Sequence, residues 1–100
     1  MVDACHEFSI DCATFTDIID CESGGNPGAV NNRPDYTVTT RRASGLVQHL
    51  AHLYPPRAAA VGYPADTSTI FDPVANARSG AWLMATEGTG PWVWSQHCWG

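Results

Sequence analysis

The chain has 100 residues, of which 44% are hydrophobic and 15% charged, a balance that suits one compact core and excludes both a second domain and intrinsic disorder. Ten acidic groups against five arginines and no lysine leave a formal charge of -5, which repels nucleic acid and anionic lipid and argues against either as a partner. No apolar run approaches the roughly 20 residues that span a bilayer, so membrane insertion is not expected.

The opening stretch, Met1 to Glu7, has neither the basic nor the apolar region of a secretory signal, so export is expected by another route or after removal of a leader. Cys5, Cys12, Cys21 and Cys98 form an even set in a short chain, which points to two disulfides made in an oxidising compartment. The competing reading is zinc held by Cys5, His6 and Cys12 with His49, His52 or His97. No C-x-x-C or H-x-x-x-H spacing supports it, and no metal is expected.

Phe15, Ile18, Ile19 and Glu22 recur at i, i+3, i+4 and i+7, which predicts a helix capped by Thr14 or Thr16 and stopped by Gly24 and Gly25. Glu22 then lies on the apolar face of the last turn, where a carboxylate is uncommon unless paired or used. From Asn26 to Ser44 the composition shifts to Asn, Pro, Gly, Asp and Arg around a β-prone run, Tyr36 to Thr40, and predicts a loop carrying a small hairpin. Leu46, Val47, Leu50 and Leu53 have helical spacing, and Pro55 and Pro56 are expected to break that helix before a short turn from Arg57 to Val61, closed by Gly62. A loop from Tyr63 to Phe71 leads to Asp72 and Pro73, a strong helix start. Val74, Ala77, Ala81, Leu83, Met84 and Ala85 supply that helix's apolar face, and Gly88 and Gly90 its end. The tail sets Trp92, Trp94 and Trp99 beside Cys98. The expected fold class is α+β and mostly helical, with a short β-hairpin or loop after the helix that carries Glu22. One domain is expected over 1–100, with 1–13 an extension and 14–100 the core.

A general acid that works at neutral pH must keep its proton, which requires a carboxyl held among apolar groups. Glu22 has that setting; the alternative is an ordinary helix-end glutamate turned to solvent. The string Cys21-Glu22-Ser23-Gly24-Gly25-Asn26, followed by Ser44-Gly45-Leu46-Val47-Gln48, resembles the catalytic domain of soluble lytic transglycosylases and goose-type lysozymes. Asp72-Pro73-Val74-Ala75-Asn76-Ala77, with Trp82-Leu83, is similar to that family's third helix. The stretch from Ala85 to Cys98 resembles the compact resuscitation-promoting factors, peptidoglycan-cleaving relatives of the same fold.

The resemblance covers Phe15 to Cys98 and implies a small lysozyme-like domain. It implies Glu22 as catalytic acid and base, Ser23 as its neighbour, and Gly45, Leu46 and Gln48 as the wall where the sugar chain lies. It also implies a Cys21 to Cys98 disulfide, which leaves Cys5 to pair with Cys12. Val47 stands where methionine or phenylalanine is usual, His49 where a hydrophobic residue is common, and an Ala-Tyr-Asn motif is missing.

Asp35 and its neighbour Tyr36 are candidate substrate-binding residues; Asp35 is also a candidate second carboxylate, since many glycosidases use two, and otherwise a turn former after Pro34. Trp92 is expected in the core; Trp94 either stacks on a pyranose ring or fills the core. His49 and His52 read as surface or cleft polar groups rather than ligands. Arg41 and Arg42 read as a solvated hairpin, or as contacts for muramyl peptide carboxylates.

The resemblance implies a peptidoglycan-degrading glycosidase that cleaves the β-1,4 bond between N-acetylmuramic acid and N-acetylglucosamine. With one glutamate it would act as a lytic transglycosylase and form a 1,6-anhydro product, without metal or organic cofactor. The alternatives are a hydrolytic lysozyme using Asp35 and a non-catalytic glycan-binding or virion module. The negative charge leans towards the last, because many wall-lytic enzymes are basic; the glutamate in the Glu-Ser position leans towards an enzyme. The expected partner is the glycan strand, met by a monomer outside the cell or in its wall, whether secreted or phage-delivered.

Overall fold

In the computed structural model, residues 2–30 and 43–100 are described. A short helix, α1 (Val2–Glu7), opens the chain, and bonds from the Phe8 amide to the Ala4 carbonyl (3.2 Å) and from the Ile10 amide to the Cys5 carbonyl (3.0 Å) turn it into the next helix. That helix, α2 (Cys12–Ser23), begins before the threonines expected to cap it. The carboxylate of Asp11 accepts from the Ala13 amide (3.2 Å) and from the Thr14 hydroxyl (2.8 Å), so Thr14 becomes a donor to the cap instead of being the cap. Gly24, at φ 63°, ends the helix as expected, and its amide bonds to the Asp20 carbonyl. Phe15, Ile18 and Ile19 are buried, each contributing about 1.5 to 3 kcal/mol of apolar transfer.

The expected helix through Leu46 and Leu53 does not form. Two short strands, β1 (Ala43–Ser44) and β2 (His49–Leu50), pair antiparallel instead, with Ala43 opposite Leu50 and Ser44 opposite His49. The turn between them needs left-handed backbone at Gly45 (φ 82°) and Gln48 (φ 57°), which no α-helix contains. A 3-10 turn (Ala51–Leu53) then leads into α3 (Tyr54–Ala60). Pro55 and Pro56 therefore start a helix where they were expected to break one, because a first helical turn leaves its amides unbonded and loses nothing to proline. The run Tyr36 to Thr40, expected to form the hairpin, lies outside the described residues.

The long helix α4 (Pro73–Glu87) starts and stops where expected. Asp72 Oδ1 accepts from the amides of Val74 (2.9 Å) and Ala75 (3.0 Å), and the Gly88 amide closes on the Met84 carbonyl. A 3-10 segment (Gly90–Ser95) and a final turn, α5 (Gln96–Trp99), complete the chain. The architecture is mostly helical α+β with a small two-stranded sheet.

The main core gathers Phe15, Ile18 and Ile19 of α2, Leu46 and Val47 of the hairpin turn, Ala77, Ala81, Leu83 and Met84 of α4, and Trp92. Ala4 and Cys5 of α1 pack into the same core. A smaller cluster of Ala51, Tyr54, Ala58 and Ile70 seats α3 on α4. Arg78 of α4 fastens both ends of this arrangement, with a bidentate pair to Glu7 (2.9 and 2.6 Å) and a bond to the Val61 carbonyl (3.1 Å).

The disulfides are Cys5 to Cys12, joining α1 to the start of α2, and Cys21 to Cys98, joining the end of α2 to α5. Cys5, His6 and Cys12 do cluster, with ligand atoms within 4.8 Å of one another, but both sulfurs are bonded together and are not thiolates able to bind zinc. Among the described residues no helix is long and apolar enough to cross a membrane.

Candidate functional site

Glu22 closes the last turn of α2, half-buried, with the Cys21 disulfide fixing the backbone beside it. The Ser95 hydroxyl donates to Glu22 Oε1 in a short bond. Ser95 is itself held, since the Trp99 indole N–H reaches both Ser95 Oγ and the Trp92 carbonyl at 3.1 Å. Burial pushes the Glu22 carboxyl above the ordinary glutamate range, and the bond from Ser95, which favours the charged form, pulls it back by less. No charge among the described residues contributes to that shift.

Ser23, by contrast, is engaged with its own helix end. Its hydroxyl donates to the Ile19 carbonyl (3.0 Å) and accepts from the Gly25 amide (3.3 Å). Asn26 Oδ1 then accepts from the Gly28 amide (2.9 Å), a local turn that brings the chain to Ala29. The Ala29 carbonyl accepts from the Gly45 amide (2.8 Å) and from Gln48 Nε2 (3.1 Å), and Val30 bridges to Ser44. Gln48 also donates to the Gly45 carbonyl at 2.9 Å. The segment after Glu22 is thereby stitched to the hairpin turn by the Gly45 amide, the Val30 bridge and the Gln48 side chain.

Gly45 is required by shape as well as by its φ. A Cβ there would run into the Asn76 amide and sit 2.6 Å from the Ile70 carbonyl. Asn76, fully buried on α4, accepts from the Val47 amide (3.0 Å) and donates to the carbonyls of Ser44 (3.2 Å) and Ile70 (2.7 Å). Leu46 is buried in the core. Trp92 is buried as expected, with its indole N–H on the Val47 carbonyl at 3.0 Å.

His49 is buried and not a surface group, because the strand turns its ring onto α4, though it does line the pocket beside the hairpin. Its Nε2 lies 3.0 Å from the Asn76 carbonyl and its Nδ1 3.1 Å from Arg57. Arginine only donates, so Nδ1 accepts and Nε2 carries the hydrogen. The His49 pKa is lowered to about 3, chiefly by burial and also by the nearby Arg57 charge, against an opposing bond to the Asn76 carbonyl. The ring is neutral at physiological pH. His52 is exposed.

Beside this hairpin opens a pocket of about 150 Å³ walled by residues of β2, α3 and α4 together with Pro91 and Trp92. Sequence reasoning missed Ser95, Asn76 and Arg57 as parts of the site. Ser95 lies 73 residues from Glu22, and no local pattern relates the two. Asp35, Tyr36, Arg41 and Arg42 lie outside the described residues, and Trp94 is described only by its place in the 3-10 segment Gly90–Ser95.

A small, mostly helical domain whose half-buried glutamate ends one helix beside a hairpin is of the lysozyme-like class. The model of the transglycosylase SLT domain matches residues 3–90, and the chain belongs to that family. No curated protein and no solved structure matches the chain significantly. The family match takes in α1, which the resemblance read from the sequence left out, and it carries peptidoglycan lytic transglycosylase activity and a peptidoglycan substrate at the level of the family.

Proposed function

We propose that the chain cleaves the β-1,4 bond between N-acetylmuramic acid and N-acetylglucosamine with Glu22 as the only acid and base. The observation that carries this reading is the half-buried Glu22 carboxyl, raised by burial and untouched by other charges among the described residues. Ser95 holds Oε1, which leaves Oε2 to carry the exchangeable proton. That proton passes to the bridging oxygen as an oxocarbenium-like centre forms at the muramyl C1. The resulting carboxylate takes the proton of the muramyl C6 hydroxyl, whose oxygen closes on C1 to give the 1,6-anhydro ring. Proximity favours this step, since the nucleophile belongs to the substrate itself. Two disulfides favour action outside the cytoplasm, at the cell wall, and the chain is proposed to work as a monomer.

Digestion of purified peptidoglycan, followed by mass spectrometry, tests the proposal. Anhydromuramyl ends, lighter by one water than hydrolytic ends, are expected. Glu22→Gln is expected to keep its circular dichroism spectrum and lose at least about a hundredfold in rate. Reducing muramic acid ends would point instead to a hydrolytic lysozyme, with Asp35 the first residue to substitute. Full activity in Glu22→Gln would reject the assignment, and no release by either protein would indicate a non-catalytic module.

A further inference from the structure

The pocket beside the hairpin contains a guanidinium that makes no ion pair among the described residues. Arg57, on α3, is half-buried, and among the described residues its hydrogen-bond partner is His49 Nδ1, on a ring that is neutral. Among the described residues the ion pair lies elsewhere, between Arg78 and Glu7. Burial lowers the Arg57 pKa, and Glu87 acts on it only through space. A guanidinium has five donors in a planar fork, and His49 occupies one of its nitrogens. Arg57 lines a cavity of about 150 Å³ together with residues that include Gln48, Leu50, Leu53, Leu83 and Trp92. Cations are rarely left half-buried with a neutral partner, because desolvation is then uncompensated.

We propose that this pocket binds a carboxylate of the muramyl unit, with Arg57 as its bidentate partner and His49 as the neutral buttress that aims the guanidinium. A planar fork against a carboxylate is the strongest pairing this side chain makes, and the apolar wall suits the methyl group beside a lactyl carboxylate or the methylenes beside an isoglutamyl one. Trp92 connects the pocket to Glu22. That residue lines the cavity, and its carbonyl accepts from the Trp99 indole N–H, which also reaches the Ser95 hydroxyl that donates to Glu22. The proposal rests on the glycan reading above for the identity of the sugar, and it adds a specificity residue to it. Two sources share this chemistry: the lactyl carboxylate of a peptide-free muramyl residue and the carboxylate of an attached peptide.

The test is binding, read by NMR on the Arg57 Nε–H and His49 ring nitrogens of the full chain carrying Glu22→Gln, so that no turnover intervenes. The probes are N-acetylmuramic acid, its methyl ester, N-acetylglucosamine, and N-acetylmuramyl-L-alanyl-D-isoglutamine, whose lactyl carboxyl is tied up as an amide. At least one carboxylate-bearing probe is expected to bind about tenfold or more tightly than the ester and N-acetylglucosamine, and to move the Arg57 signal. Preference for N-acetylmuramic acid assigns the lactyl group, and preference for the dipeptide assigns the peptide. Arg57→Gln is expected to erase the preference and Arg57→Lys to keep part of it, with melting curves checking both folds. Equal binding of all four probes, or a preference that survives Arg57→Gln, would overturn the proposal. Selective binding together with inert peptidoglycan digests would keep the pocket and fault the cleavage reading alone.

Discussion

Glu22 and Ser95 form a pair in which the serine works against the environment that raises the acid. Burial favours the protonated form and the hydroxyl favours the charged one, with burial the larger effect. Ser95→Ala removes the opposing bond, so the Glu22 pKa is expected to rise further. A group that must be protonated to act loses activity as pH climbs through its pKa, and the alkaline limb of kcat/KM is therefore expected to move to higher pH in Ser95→Ala. A limb displaced to lower pH would show that Ser95 supports the protonated form. The candidacy of Glu22 was legible from its place on an apolar helical face and from the Glu-Ser-Gly-Gly string. Ser95 was not, because a hydroxyl near the end of a chain has no periodicity or spacing that marks its partner.

At the scale of elements, the hairpin turn is where local pattern and structure part. Leucine spacing from Leu46 to Leu53 suits a helix, yet Gly45 and Gln48 take positive φ and Asn76 supplies bonds to the backbone that a helix would have made for itself. Asn76→Ala would leave the Val47 amide and the Ser44 and Ile70 carbonyls without this partner in a buried place. A loss of about 2 to 4 kcal/mol in folding free energy is expected, read from urea unfolding. A loss below about 1 kcal/mol would mean that other groups satisfy the turn. The same contacts set where Gln48 sits, so the variant is also expected to be less active than its residual stability alone implies. Pro55 and Pro56 carry a related lesson: proline stops a helix from within and starts one from its first turn, and only the position of the preceding strand decides which.

The whole molecule is held by two disulfides of different reach. Cys21 to Cys98 closes a separation of 77 residues and Cys5 to Cys12 one of 7, which in the chain-entropy model correspond to about 4.5 and about 2.4 kcal/mol. Replacing both cysteines of the long link by serine is expected to lower stability more than the same change at the short one, measured by thermal melts. It is also expected to reduce activity, since α5 carries the Trp99 that steadies Ser95. The reverse order of stabilities would show that strain or residual unfolded structure outweighs loop entropy.

The sequence by itself determined the mostly helical character, the start and stop of α4 from Asp72, Pro73 and Gly88, the end of α2 at Gly24, and the family to which the Glu22 and Gly45 strings belong. These are properties of residues close in the chain, where capping chemistry, glycine conformation and helical period act over a few positions. Tertiary structure alone decided that the Leu46 segment is a turn and strand, that His49 is buried and neutral, and that Ser95 meets Glu22 and Arg57 meets His49. Each of those outcomes depends on groups distant in sequence, above all Asn76 on α4 and the C-terminal turn, whose bonds to backbone outweigh the weak local preference of a four-residue leucine pattern.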